Sequence, residues 1–221
     1  MKKIILLAIL AATTLYGAET FSVSFARGKW DQTDFLVVKS ARFNKVETFT
    51  QQDDHIANML PPELANRATV SCADSYCALL TAKKFSGNIT VSSKMSFDQR
   101  MAPLIVIAPE LGKSADGKHP ELRDHYEIVL YDKGINVWHH RYINGKPAWY
   151  KLAYMFTPYL PKTIYDLQVS LKHTAKGAQM VIKCDGKEFG VAMPVEFTAK
   201  EYHVGIIGCE GINRFYDFNV K

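Results

Sequence analysis

Trp138, His140, Tyr142, Trp149 and Lys151 fall in one short stretch, and their spacing puts all five on the same face of a two-stranded ribbon. Asn144 and Gly145 between them tolerate the positive φ that a type I′ turn needs at both central positions. Ile143 then faces Lys146, and pairs count outward from there: Tyr142 with Pro147, Arg141 with Ala148, His140 with Trp149, His139 with Tyr150 and Trp138 with Lys151. Alternate residues point to opposite faces, so two indoles, an imidazole, a phenol and an ammonium share one side. Such a set is either the filling between two sheets or a platform on which a sugar ring could stack. A sealed layer would have to find partners for the polar ends of Lys151 and His140, so the expectation is an accessible groove. Val137, Tyr150 and Leu152 on the other side have the character of core, together with His139 and Arg141.

A second stretch brings a carboxylate. In YEIVLYD, period-two alternation puts Glu127, Val129 and Tyr131 on one side, while Asp132 falls on the opposite side. His140 is a candidate acid–base residue by its chemistry. Glu127 and Lys151 are also candidate hydrogen-bonding partners for a ligand stacked on the aromatics.

The elements that must carry these residues read as strands almost throughout. FSVSF at Phe21–Phe25 alternates, FLVVKSARF and VETFT flank an Asn44–Lys45 turn, and ALLTA and GNITVSSKMSF follow. APLIVIAP is a continuous apolar run, as expected of a strand covered on both faces. TIYDLQVSLKH and AQMVIKCDGKEFGVAM come later, the latter turning at Asp185–Gly186, and YHVGIIG and RFYDFNV close the chain. Residues 51–68 read as a long loop or one that carries a helical turn, and 112–124 have the composition of a surface loop. About a dozen short strands with hardly any helical periodicity predict an all-β, two-sheet antiparallel jelly-roll sandwich, a single domain over residues 19–221.

Residues 1–18 read as an export signal: Lys2 and Lys3, an apolar run from Ile4 to Ala12, then small and polar residues. That run is too short to span a bilayer, and no second long apolar run follows. A periplasmic or secreted protein is expected. The net charge of +5, or +3 once Lys2 and Lys3 are removed, comes with no basic run, which argues against nucleic acid as a partner. Four cysteines, Cys72, Cys77, Cys184 and Cys209, favour disulfides in an exported chain. Of the three pairings, Cys72 with Cys77 and Cys184 with Cys209 is preferred, and the spacing lacks the paired CxxC of a zinc site. No nucleophile elbow, phosphate-binding glycine loop or HExxH motif is present.

The order of FSGNITVSSKMSF, YEIVLYD, the hairpin, IYDLQVSLKH, the DG hairpin and VGIIGCEGINRFYDFNV resembles the concanavalin A-like lectin and glucanase sandwich. Within that group it is most similar to the bacterial 3-keto-disaccharide hydrolase domain family and its laminin G-like relatives, over about Trp30 to Lys221. The resemblance implies a glycan bound or cleaved on a concave sheet face, with oligosaccharide or polysaccharide as partner and with Glu127, at the position of an acidic residue in relatives, as the catalytic acid or base. Retaining glucanases of this fold need a second carboxylate close by, and Val129 stands where it would fall. The resemblance implies no organic cofactor, and Asp217 and Asn219 are the residues that could ligate a structural Ca²⁺. The rival expectation is a non-catalytic interaction or structural module of the cell envelope on the same scaffold.

Overall fold

The computed structural model describes residues 20–221 except 44, 45, 65, 66, 68, 69, 100 and 196. The expected export signal and the Asn44–Lys45 turn lie outside the described residues.

Two sheets form the body. The first runs in the order Lys187–Ala192, Gly177–Cys184, Tyr165–Thr174, Ile89–Phe97, Asn213–Phe215, Ile56–Asn58 and Thr50–Gln51, with Asp217–Val220 bridging Ile89–Phe97 to Phe21–Ser24. The second runs Lys146–Phe156, Gly134–Ile143, His125–Tyr131, Met101–Ala108, Glu201–Gly208, Cys77–Thr81 and Phe35–Val37, with Phe85–Ser86 against Glu201–Gly208. All pairings within these two sheets are antiparallel except an isolated parallel bridge from Glu47 to Cys77. This is the jelly-roll sandwich expected from the sequence. The turns behave as their residues require: Asn144 and Gly145 have φ of 51° and 76°, and Asp185 and Gly186 have φ of 49° and 72°.

The core lies in two layers because the second sheet is covered on both faces. Between the sheets, Val91, Leu167, Val169 and Phe218 meet Ile105, Ile107, Ile128, Leu130 and Ile206. On the outer face of the second sheet, Leu80, Leu104, Val106, Val129 and Ile207 pack against Val38, Tyr76 and Leu122. The run APLIVIAP is apolar at every step for this reason: Ile105 and Ile107 serve the inner layer, Leu104 and Val106 the outer one.

The outer cover corrects two expectations. Residues 112–124 do not form a plain surface loop: Leu111–Lys113 and Pro120–Leu122 pair, and the latter runs parallel to Lys39–Ser40, making a third small sheet. Leu122, 1% exposed, anchors it to the outer core. Likewise, the segment from 51 to 68, expected as a loop or as a loop with one helical turn, has such a turn at Pro62–Leu64 but also contributes the Ile56–Asn58 strand to the first sheet. Asn58 is fully buried there, its Nδ2 donating to the carbonyls of Ser75 and Gly211 and its Oδ1 accepting from the Asn213 amide.

The cysteine expectation is also corrected. None of the four cysteines forms a disulfide. Cys184 sits in the layer between the sheets and Cys209 in the outer layer, so the second sheet stands between them. Cys72, at the start of the short Cys72–Ser75 helix, has its Sγ within 4.8 Å of that of Cys209.

Candidate functional site

The hairpin has the register that its turn dictates. Ile143 pairs with Lys146, His140 with Trp149 and Trp138 with Lys151, after which a bulge shifts Val137 onto Ala153. The neighbouring strand supplies the rest. His125 pairs with His140, and Glu127 with Trp138, so His125, Glu127 and Val129 share the outer face with Trp138 and His140.

At the centre is a carboxylate held by two imidazoles. His125 Nε2 is 3.3 Å from Glu127 Oε1, and His140 Nε2 is 3.1 Å from Glu127 Oε2. The two imidazole rings stack at 4.6 Å with 18° between their planes, and the Trp149 indole continues the column at 6.2 Å and 18° from His140. Both histidines are only 5% exposed. Burial alone would raise the Glu127 carboxyl, but the charge and hydrogen bond of His140, with the hydrogen bond and charge of His125, hold it well below the usual carboxylate range. Burial in turn pushes His125 below the ordinary imidazole value, against the pull of Glu127. Glu127 is thus an ionised acceptor at neutral pH.

Above this group lies a cleft of about 220 Å³. Glu127, His140, Trp138 and Trp149 line it, joined by Asn136, whose Oδ1 is buried without a hydrogen-bond partner. Trp149 is 48% exposed and Trp138 half-buried, so the indoles are not sealed between layers. Cations lie over both: the Arg42 guanidinium is 4.3 Å from the Trp149 ring centre, and Lys151 Nζ is 5.0 Å from that of Trp138.

Of the residues expected from the sequence, Glu127, Trp138, His140 and Trp149 come together in the cleft. Lys151 reaches it only through the Trp138 ring, and Tyr142 does not line it. The Tyr142 ring lies beneath the Arg123 guanidinium at 3.8 Å, nearer the turn. Asp217 and Asn219 serve the strand edge: Asp217 Oδ1 accepts from the Lys94 amide at 2.7 Å, and Asn219 Oδ1 from the Ser22 hydroxyl at 2.6 Å.

Sequence reasoning missed His125, Asn136, Arg42, Cys72, Cys209 and Glu210, all part of this neighbourhood. His125 carried a usable signal, since a His two residues before Glu127 on one strand must share its face. Arg42, Cys72 and Glu210 arrive on connecting segments, and no local pattern points them here.

Among the described residues, two groups could hold a metal by their donors. One donor atom each from His125, Glu127 and His140 lies within 4.8 Å of the others, and the same is true of Cys72, Cys209 and Glu210. In the second group a hydrogen bond with Cys72, together with burial, pushes the Cys209 thiol well above its usual value.

No protein-family model matches the chain. No curated protein matches it either. Solved structures do, and they show that the fold is the concanavalin A-like sandwich. A carbohydrate-binding module from Bacillus subtilis is 12% identical with a TM-score of 0.52, over 83% of this chain and 92% of its own. The Lotus tetragonolobus seed lectin is 9% identical with a TM-score of 0.57, over 92% and 97%. The kappa-carrageenase of Pseudoalteromonas carrageenovora, in complex with a kappa-carrageenan oligotetrasaccharide, is 10% identical with a TM-score of 0.56, over 96% and 99%. No helix among the described residues is long and apolar enough to cross a membrane.

Proposed function

We propose that this chain is an exported glycan-binding protein whose ligand enters the cleft between Trp138 and Trp149. One observation carries the reading: both indoles reach the same solvent-open cleft, above an ionised carboxylate and an unpaired buried acceptor. Sugar rings present an apolar face to an indole and hydroxyl donors around their rim, and this lining answers both. Glu127 and Asn136 Oδ1 accept from hydroxyls, while Arg42 donates. Arg42 and Lys151, lying over the two indoles, suit a ligand that also carries negative charge. The rival module without a sugar site would have its indoles sealed, and the 48% exposure of Trp149 speaks against that.

Binding is favoured over cleavage. A general acid must be protonated at working pH, and Glu127 is held ionised. Val129 stands where a second carboxylate would be, and it packs in the outer core. Hydrolysis of a glycoside or 3-keto-disaccharide is the second reading, kept by the presence of Glu210 in the same cleft. Incubation with oligosaccharides and 3-keto sugars that yields no product removes it.

The test of binding is affinity electrophoresis through gels containing neutral, uronate-bearing or sulfated polysaccharides. At least one gel retards the wild type, and Trp149→Ala weakens that retention about tenfold or more, the loss of roughly 1.4 kcal/mol. Circular dichroism of the variant stays that of the wild type. Retention unchanged in Trp149→Ala, or no retention of the wild type across the panel, overturns the reading.

A further inference from the structure

We propose that His125, Glu127 and His140 form a site for one divalent transition metal ion of the zinc kind, with its open coordination position facing the cleft. The inference does not depend on the glycan reading.

Three features of the cluster carry it. The first is the donor set. Two imidazole nitrogens and a carboxylate are ligands of borderline cations, and they exclude the all-oxygen shell that Ca²⁺ or Mg²⁺ prefers. The second is spacing. Tetrahedral bonds of about 2.0–2.1 Å place neighbouring ligand atoms roughly 3.3 Å apart. The Nε2 atoms of His125 and His140 stand 3.3 and 3.1 Å from the two oxygens of Glu127. A cation can enter once the two stacked imidazole rings turn so that both Nε2 atoms face one point, an adjustment of side chains on the paired strands.

The third feature is rigidity. His125 and His140 are directly opposite each other on adjacent strands, and Glu127 follows two residues after His125 on the same face. Tyr126 and Ile128, the residues between and beyond them, are buried in the layer between the sheets and fix the strand from behind. Sites on strands held this way keep their geometry better than sites on loops. Both histidines are about 95% buried, and Glu127 and His140 open onto the cleft. That opening leaves the fourth position to a water or a ligand oxygen, as in zinc sites that act on a bound molecule.

The nearby thiols set up the control. Cys72, Cys209 and Glu210 line the same cleft and offer a softer donor set, so a zinc-like ion that prefers thiolate would go there instead. A geometric reason favours the imidazole group: it sits on two paired strands, whereas Cys72 lies on a four-residue helix and Glu210 on the turn after Glu201–Gly208.

The experiment uses the full chain, stripped with a chelator, and zinc and cobalt(II) chlorides as probes without any sugar. Calorimetry is expected to give one equivalent of Zn²⁺ bound and a higher thermal midpoint. Cobalt(II) is expected to give visible d–d bands without a thiolate charge-transfer band in the near ultraviolet. Glu127→Gln, nearly isosteric, and His140→Ala each weaken Zn²⁺ binding tenfold or more, and Cys72→Ser leaves it unchanged. If His140→Ala misfolds, Glu127→Gln decides alone. Absence of saturable Zn²⁺ binding, binding that survives Glu127→Gln, or a thiolate charge-transfer band overturns the site. Because no glycan is present, failure here leaves the retention experiment above untouched, and failure of retention leaves the metal result standing.

Discussion

His139 and His140 are neighbours on one strand, both nearly inaccessible at 2% and 5% exposure, and they do opposite things. The alternation of the strand sends His139 to one face and His140 to the other. Both ring nitrogens of His139 are engaged, although the ring borders a second hollow of about 200 Å³. Its Nε2 donates to Asp124 Oδ1 at 3.0 Å, its Nδ1 accepts from the Tyr150 hydroxyl at 2.6 Å, and its ring lies on Tyr126 at 4.2 Å with 16° between planes. His140 instead converges with His125 on one carboxylate beside an open cleft lined by indoles. Burial therefore does not separate a structural histidine from a functional one. Each borders a hollow of similar size, about 200 and 220 Å³, so the separation lies in the partners: the nitrogens of His139 are each spent on a different side chain, whereas His140 and His125 converge on one carboxylate beside two indoles.

The largest expected effect breaks the comparison if it is absent. His139→Ala removes two part-buried hydrogen bonds, those to Asp124 and Tyr150, and a stacking face against Tyr126. A loss of about 3 kcal/mol in urea unfolding is expected. Glycan retention by the folded fraction should persist, because His139 does not face the cleft. A loss below about 1 kcal/mol would mean that the His139 network contributes little beyond solvation, and the two histidines would no longer be distinguishable on this ground.

How much of this was legible in the sequence follows the range of the forces involved. The hairpin was legible because Asn144–Gly145 fixes a register locally, and parity then assigns faces to Trp138, His140 and Trp149 without any tertiary knowledge. Parity also placed Glu127, and it would have placed His125 had the count begun one residue before Tyr126. The small sheet at Leu111–Lys113 and Pro120–Leu122 was not legible. GKSADGKHPELRD has too few apolar residues for a period, and its order comes from Leu122 sealing the outer core with Val38 and Tyr76. Cysteine counting failed for a related reason. The number of thiols says nothing about layers, and Cys184 and Cys209 face different ones. Arg42 and Glu210 reach the cleft by the path of connections, which no local pattern records.

A middle-sized effect sharpens the account of His139. Tyr150→Phe keeps the ring, which is 5.1 Å from that of His139, and removes only the hydroxyl that His139 Nδ1 accepts from. About 1 kcal/mol should be lost, a third of the His139→Ala effect, with unchanged retention. A loss as large as that of His139→Ala would place the whole energy of the network in one bond.

The smallest effect marks the edge of the cleft. Tyr142 shares the face of Trp138 and Trp149 by parity, yet it is spent on a different contact, the Arg123 guanidinium 3.8 Å above its ring. It is 40% exposed, so truncation opens no cavity. Tyr142→Ala should cost roughly 0.5–1 kcal/mol, the size of an exposed cation–π pair, and should leave polysaccharide retention within twofold of wild type. The same gels that test Trp149→Ala read this out. If Tyr142→Ala loses retention as fully as Trp149→Ala, the ligand extends along the hairpin toward the turn and displaces Arg123 to stack on the phenol. The shared face would then be the binding unit, and the cleft only its deepest part.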